Sequence, residues 1–196
     1  MARQSIYNIR DAARSSGRSV FNAQELANLI GSRKENATVY MSRLVAKNLA
    51  TRLIKGRISF TNNDLEIATQ LYEPSYVSLD SALLFHEVKQ QVPRNVQCVS
   101  TGNSLNLQRF GIEYHKVPGA LFFGYKRYAL GESYALVAEP EKALLDGYYL
   151  NIYTINDLLE YSSHLDFNAM AGPINEFSGR GSRKLKGALA LLTASK

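Results

Sequence analysis

Apolar residues in the first 60 positions recur at helical spacing, in short blocks divided by polar breaks. Ile6, Ile9 and Ala13 form one stripe, which predicts a helix from about Ser5 to Ser16 that stops at Gly17. Asn22 with Glu25 three residues later reads as a capping box, and Phe21 with Leu26 as a hydrophobic staple. Gly31 is the expected left-handed stop of that helix, and Ser32 with Glu35 the expected cap of the next. Two capped helices about a glycine turn are the pattern of a helix-turn-helix, whose second helix enters the DNA major groove.

That second helix has two faces. Ala37, Met41, Leu44 and Val45 make the buried stripe. Asn36, Val39, Arg43 and Lys47 lie opposite, with Tyr40 on the flank and Arg33 and Lys34 in the first turn. Asn and Arg read adenine and guanine edges bidentately, and lysines suit phosphates. A solvated helix face would look similar; the basic setting and the segment that follows favour nucleic acid. Asn48 can close the helix in the left-handed conformation. Residues 50–54 and 58–60 then flank Lys55-Gly56-Arg57 as two short strands about a glycine turn, a β-hairpin with Arg52 on its ascending strand. A basic hairpin after a recognition helix is the wing of a winged helix-turn-helix, lying on phosphates or in the minor groove. Arg3, Arg10, Arg14 and Arg18 sit outside or at the ends of the first helix, where phosphate contact and plain solvation fit equally.

Beyond this head, Thr61-Asn62-Asn63 reads as a turn, and Asp64 to Tyr72 as a short connector helix with Leu65, Ala68 and Leu71 or Tyr72 inward. After Pro74, strand and helix signals alternate. Tyr76-Val77 is extended and Leu79 to Val88 helical, capped by Ser78. Strands follow at Asn95 to Thr101 and Ile112 to Val117, then a hairpin turning at Leu130-Gly131-Glu132. Pro140 starts a helix to about Leu150, with Ala143, Leu144 and Tyr148 inward and Lys142 and Asp146 spaced to pair. Thr154 or Asn156 caps the next helix, through His164, and Ser182 the last, with Leu185, Ala188, Leu189 and Leu192 inward.

Charge divides the chain the same way. Residues 1–60 hold 11 Lys/Arg against 3 Asp/Glu, residues 61–175 hold 7 against 13, and residues 176–196 hold 5 against 1. A basic head and an acidic body imply two domains with different partners, the head meeting nucleic acid. No apolar run suits a transmembrane helix, and the N-terminus carries no signal-peptide core. The single Cys98 excludes an internal disulfide and fits a buried thiol in a reducing cytoplasm.

Catalytic signatures are weak. A nucleotidyltransferase needs a Gly-Ser turn leading to closely spaced, Mg²⁺-holding Asp residues; Gly31-Ser32 and Gly181-Ser182 lead to none. Gly179 to Lys184 lacks Walker spacing, although Arg180, Arg183, Lys184 and Lys186 around a helix start suit an anion or nucleic acid; a basic surface loop reads the same. His86, His115, His164 and Cys98 have no metal-ligand spacing. The expectation is no enzyme, no cofactor and no metal.

Two stretches of the body carry a family resemblance: Pro74-Ser-Tyr-Val-Ser-Leu-Asp-Ser-Ala-Leu83, and Ala138-Glu-Pro-Glu-Lys-Ala-Leu-Leu-Asp146 followed by Tyr148-Tyr149-Leu150. With the N-terminal winged helix, the chain resembles the AbiEi family, the antitoxins of AbiE-type abortive-infection systems. Glu139 departs from the pattern, standing where a small capping Thr or Ser is expected. The resemblance implies a head that binds double-stranded DNA at its own promoter and represses its operon. It implies a body that opposes a nucleotidyltransferase-like toxin encoded beside it, without requiring direct contact.

The expected fold class is therefore α+β, a winged helix-turn-helix over residues 1–61, a connector helix over 62–73, and a mixed α/β antitoxin-type domain over 74–196. The expected function is a cytoplasmic DNA-binding autorepressor and antitoxin with no membrane partner. The alternative is a stand-alone winged-helix interaction or RNA-binding module without antitoxin activity, which the basic C-terminal segment would serve as well.

Overall fold

The computed structural model describes residues 5–194; Arg3 and the side chain of His164 lie outside the described residues. The chain is mixed α+β with two sheets, and divides into two compact units. One runs through Glu73 and includes Arg127–Ala135; the other comprises Pro74–Lys126 and the chain from Leu136 onward. Among the described residues, no helix is long and apolar enough to cross a membrane.

The first unit begins with α1 (Ile6–Ser15), whose cap Ser5 accepts from the Tyr7 amide. Strand β1 (Val20–Asn22) leads into α2 (Ala23–Leu29), where Asn22 and Glu25 form the full capping box. Then come α3 (Lys34–Ala46), β2 (Thr51–Arg52) and β3 (Arg57–Ser59). The sheet order is β1–β3–β2, antiparallel throughout, pairing Asn22 with Arg57 and Arg52 with Ile58. Ile9, Leu26, Ala37, Met41, Leu44 and Ile58 are buried in one cluster, so the three helices pack on each other and on the sheet. Val45 lies at the edge of that cluster. Asn48 takes φ 54° and Gly56 φ 77°, the left-handed turns after α3 and at the hairpin tip.

The start of α3 differs from the reading of its sequence. Ser32 does not cap it: Arg33 holds the cap position and makes no side-chain cap bond. The Ser32 amide instead donates to the Ala27 carbonyl at 2.9 Å, closing α2. Ser32 stands one residue before the cap position, and its hydroxyl accepts from Asn36 Nδ2 at 3.3 Å.

Helix α4 (Asp64–Leu71) fills the expected connector segment, and it is enclosed within the first unit. Residues 66–71 are all buried, beyond the single stripe its spacing suggests. Gln70 explains this. Its Oε1 accepts from the Ser19 and Val20 amides at 2.8 and 3.1 Å. Its Nε2 donates to Ser133 Oγ and the Tyr134 carbonyl at 3.1 and 2.9 Å. Every polar position of this buried amide is occupied, which ties α4 to β1 and to residues 133–134 of the same unit.

The second unit holds β4 (Ser75–Val77), α5 (Leu79–Phe85), β5 (Val96–Ser100), β6 (Leu105–Leu107) and β7 (Ile112–Lys116). After these come β8 (Tyr125–Leu130), β9 (Ser133–Ala138), α6 (Pro140–Tyr149), α7 (Ile155–Tyr161), α8 (Asn168–Glu176) and α9 (Ser182–Ala194). The sheet runs β6–β7–β5–β4–β9–β8, with β5–β7 and β4–β9 parallel and β4–β5 and β6–β7 antiparallel. The hairpin tip at residues 127–135 groups with the first unit. Cys98 is fully buried in β5, and burial pushes its thiol far up, so it stays a protonated packing group.

Strand β6 has no counterpart in the sequence reading, and three helices depart from expectation here. Helix α5 stops at Phe85 and not Val88, because Glu87 turns left-handed (φ 60°) and the Val88 amide closes back on the Leu83 carbonyl at 2.8 Å. Helix α8 carries Gly172 and Pro173, breakers that hide it from pattern reading. Ser182 is the first helical residue of α9 and not its cap; the Leu185 amide bonds to the Gly181 carbonyl.

Candidate nucleic-acid interface

Helix α3 buries Ala37, Met41 and Leu44 and turns its other side outward. At about 100° per residue, Asn36, Val39, Tyr40, Arg43 and Lys47 fall within roughly one third of the helix circumference. Asn36, Val39, Arg43 and Lys47 are exposed and Tyr40 is half-buried. The Arg43 guanidinium lies 5.9 Å from the centre of the Tyr40 ring, a contact that steadies a long side chain without neutralising it. Arg33 and Lys34 are exposed at the helix start, Arg52 on β2, and Lys55 beside the hairpin glycine.

The first unit separates its cations into two groups. Arg10 pairs with Asp11 at 2.6 Å, and Arg14 stands 3.9 Å from Glu132. Arg18 is the most committed. It donates through Nη1 and Nη2 to the two Glu73 oxygens at 3.2 and 2.7 Å and through Nε to the Val20 carbonyl at 2.7 Å. Burial alone would lower its pKa, but the bonds and charge of Glu73 outweigh it, and the pKa is raised. Arg57 turns from the hairpin tip toward Glu25, with Nη1 at 4.0 Å from the carboxylate and no hydrogen bond. By contrast, no ion pair or side-chain hydrogen bond holds Arg33, Lys34, Arg43, Lys47, Arg52 or Lys55 within the described residues. Six uncommitted cations thus cluster on α3 and the hairpin after it.

The cations of the C-terminal basic segment differ in exposure. Arg180 and Arg183 are exposed, and Lys186 is half-buried. Lys184 is turned inward: Nζ donates to the Tyr148 carbonyl and to Asn151 Oδ1 at 2.7 Å, and lies 4.1 Å from the Tyr148 ring centre. It caps the C-terminal end of α6, where a cation meets unpaired carbonyls, and desolvation lowers its pKa.

A second polar constellation lies in the body, sealed from solvent. Tyr76, Ser78, Lys142 and Asp146 are each at most 2% exposed. Asp146 Oδ2 accepts from the Tyr76 and Ser78 hydroxyls at 2.9 Å each. Lys142 Nζ donates to Tyr76 Oη at 2.9 Å and to Asp146 Oδ1. Burial holds the Lys142 ammonium below its ordinary range, against the pull of Asp146, and raises the Tyr76 phenol together with the Asp146 charge. Tyr125 stacks on Tyr76 at 4.6 Å between centres, so aromatic carbon closes over the group. Ser78 explains its missing cap: its hydroxyl is held by Asp146 and makes no cap bond, while Leu79 sits left-handed at φ 54°. Through these bonds the arrangement locks β4 to α6. The two short motifs of the body meet here.

Glu139 likewise makes no side-chain cap bond; it accepts from Lys126 Nζ at 2.9 Å. His86 Nε2 lies 2.9 Å from the Ala138 carbonyl and His115 Nε2 3.6 Å from Glu113. Among the described residues, no three His, Cys, Asp or Glu side chains gather as a metal site. No family model matches the chain, and a search of curated proteins returns no match.

Proposed function

We propose that the chain is a cytoplasmic, winged helix-turn-helix repressor of its own promoter and the antitoxin of an AbiE-type pair. One observation carries the DNA-binding half: among the described residues, the exposed cations of α3 and the β2–β3 hairpin meet no acid, whereas Arg10, Arg14, Arg18 and Arg57 of the same unit face acids. Uncommitted cations on one helix face and the hairpin after it are what phosphate binding requires. Asn36 and Arg43 stand among them as base-reading groups. The antitoxin half is supported by the resemblance of the two body motifs to the AbiEi family. In this reading the buried Tyr76–Ser78–Lys142–Asp146 group is the scaffold of that body, and its partner is a nucleotidyltransferase-like toxin.

The hairpin supplies the test. Replacing Arg52 and Lys55 together with Ala removes two phosphate contacts, so the slope of log K against log salt should flatten by up to about 1.8. Arg57→Ala should leave the slope unchanged, because its guanidinium faces Glu25. Binding isotherms of the full chain on promoter DNA across a salt series measure both. Equal flattening by Arg57→Ala, or none from the double variant, would turn the hairpin away from DNA.

A further inference from the structure

Resting on the DNA-binding reading, we propose that Val39 reads the 5-methyl group of a thymine in the recognised sequence. Val39 is 49% exposed, a large apolar side chain standing in water among cations. It lies one turn from Asn36 and one from Arg43, on the same face of α3. Its polar neighbours do not compete for that surface. Thr38 Oγ1 turns back to the Lys34 carbonyl at 3.0 Å, and Ser42 Oγ to the Thr38 carbonyl at 3.2 Å.

An isopropyl group gains nothing from phosphate and costs solvation in water. In the major groove, the thymine methyl is the apolar feature of the base edges and the natural match for a small aliphatic group. Valine also suits the task because its χ1 is nearly fixed in a helix, so little freedom is lost on contact. Asn36 beside it is suited to adenine, so the pair together favour an A·T-containing segment next to the base that Arg43 reads.

The experiment selects bound duplexes from a randomised pool with the full chain, then replaces each thymine of the enriched sequence singly with uracil. Uracil differs from thymine only by the methyl group. One position should lose about fourfold in affinity, the factor for one buried carbon. Val39→Ala, an exposed change that should leave folding intact, should bind thymine and uracil equally there. At the same time it should keep its dependence on Arg43.

Specific binding without any thymine-to-uracil penalty, or with a penalty that Val39→Ala retains, overturns this inference and leaves the DNA-binding reading standing. Weaker binding by Val39→Ala to every sequence alike would reassign the residue to backbone contact. Enrichment of no sequence at all would remove both the inference and the reading beneath it.

Discussion

Lys142→Met destabilises the body by about 3–5 kcal/mol, because it strands the Asp146 carboxylate in a sealed site with only two hydroxyl donors. The aliphatic stem of methionine fills most of the space of the lysine stem, so the loss reports the charge and not a cavity. Adding Asp146→Leu should recover part of the loss, since the buried charge then disappears. Recovery is incomplete because the Tyr76 and Ser78 hydroxyls lose their acceptor. Urea unfolding of the full chain followed by circular dichroism measures both variants; the chain has no Trp to report by fluorescence. A single-variant loss below about 1 kcal/mol would mean that water reaches the site and that the group is not the lock between β4 and α6.

Under the proposed DNA-binding function, Arg43→Ala should cost about 1–3 kcal/mol at the cognate sequence, and Asn36→Ala a similar amount, through lost bidentate contacts to base edges. On random DNA both losses should be much smaller, since only charge or solvation is removed there. Competition binding with cognate and random duplexes of equal length separates the two. An equal loss on both would make these residues backbone contacts and shift base reading elsewhere on α3. Tyr40 adds a control: its ring steadies Arg43, so Tyr40→Leu should weaken cognate binding less than Arg43→Ala does.

What the sequence makes legible is the local chemistry. Asn22 and Glu25 cap α2, Asn48 and Gly56 turn left-handed, and Ala37, Met41 and Leu44 face inward, each through residues within one or two turns of each other. Ser32 shows the limit of that logic: a good capping residue next to a helix start falls one position short of the cap, with its hydroxyl bonded to Asn36. Gln70 shows a second limit. Its partners lie 50 or more residues away in both directions of the chain, so α4 reads as an amphipathic connector although it is buried almost all round.

The pairing of Lys142 with Asp146 is visible in the i,i+4 spacing, but their burial is not. It arises because Tyr76 of β4 and Ser78 just after that strand arrive from 66 to 70 residues earlier. The same limit applies to the basic residues. Lys55 and Arg57 look equivalent on either side of Gly56, yet one is exposed and the other turns to Glu25. Lys184 looks like part of a basic loop and caps α6. Spacing locates cations; which acids or carbonyls they meet is decided by packing.

The proposed function requires the basic face of α3 and its hairpin to recognise a particular DNA sequence. The most direct measurement is a competition titration of the full chain on its own promoter against random DNA of the same length, at one stated salt concentration. The promoter should bind at least about 10³-fold more tightly. Equal affinity for the two would contradict it, leaving a basic surface with no sequence to read.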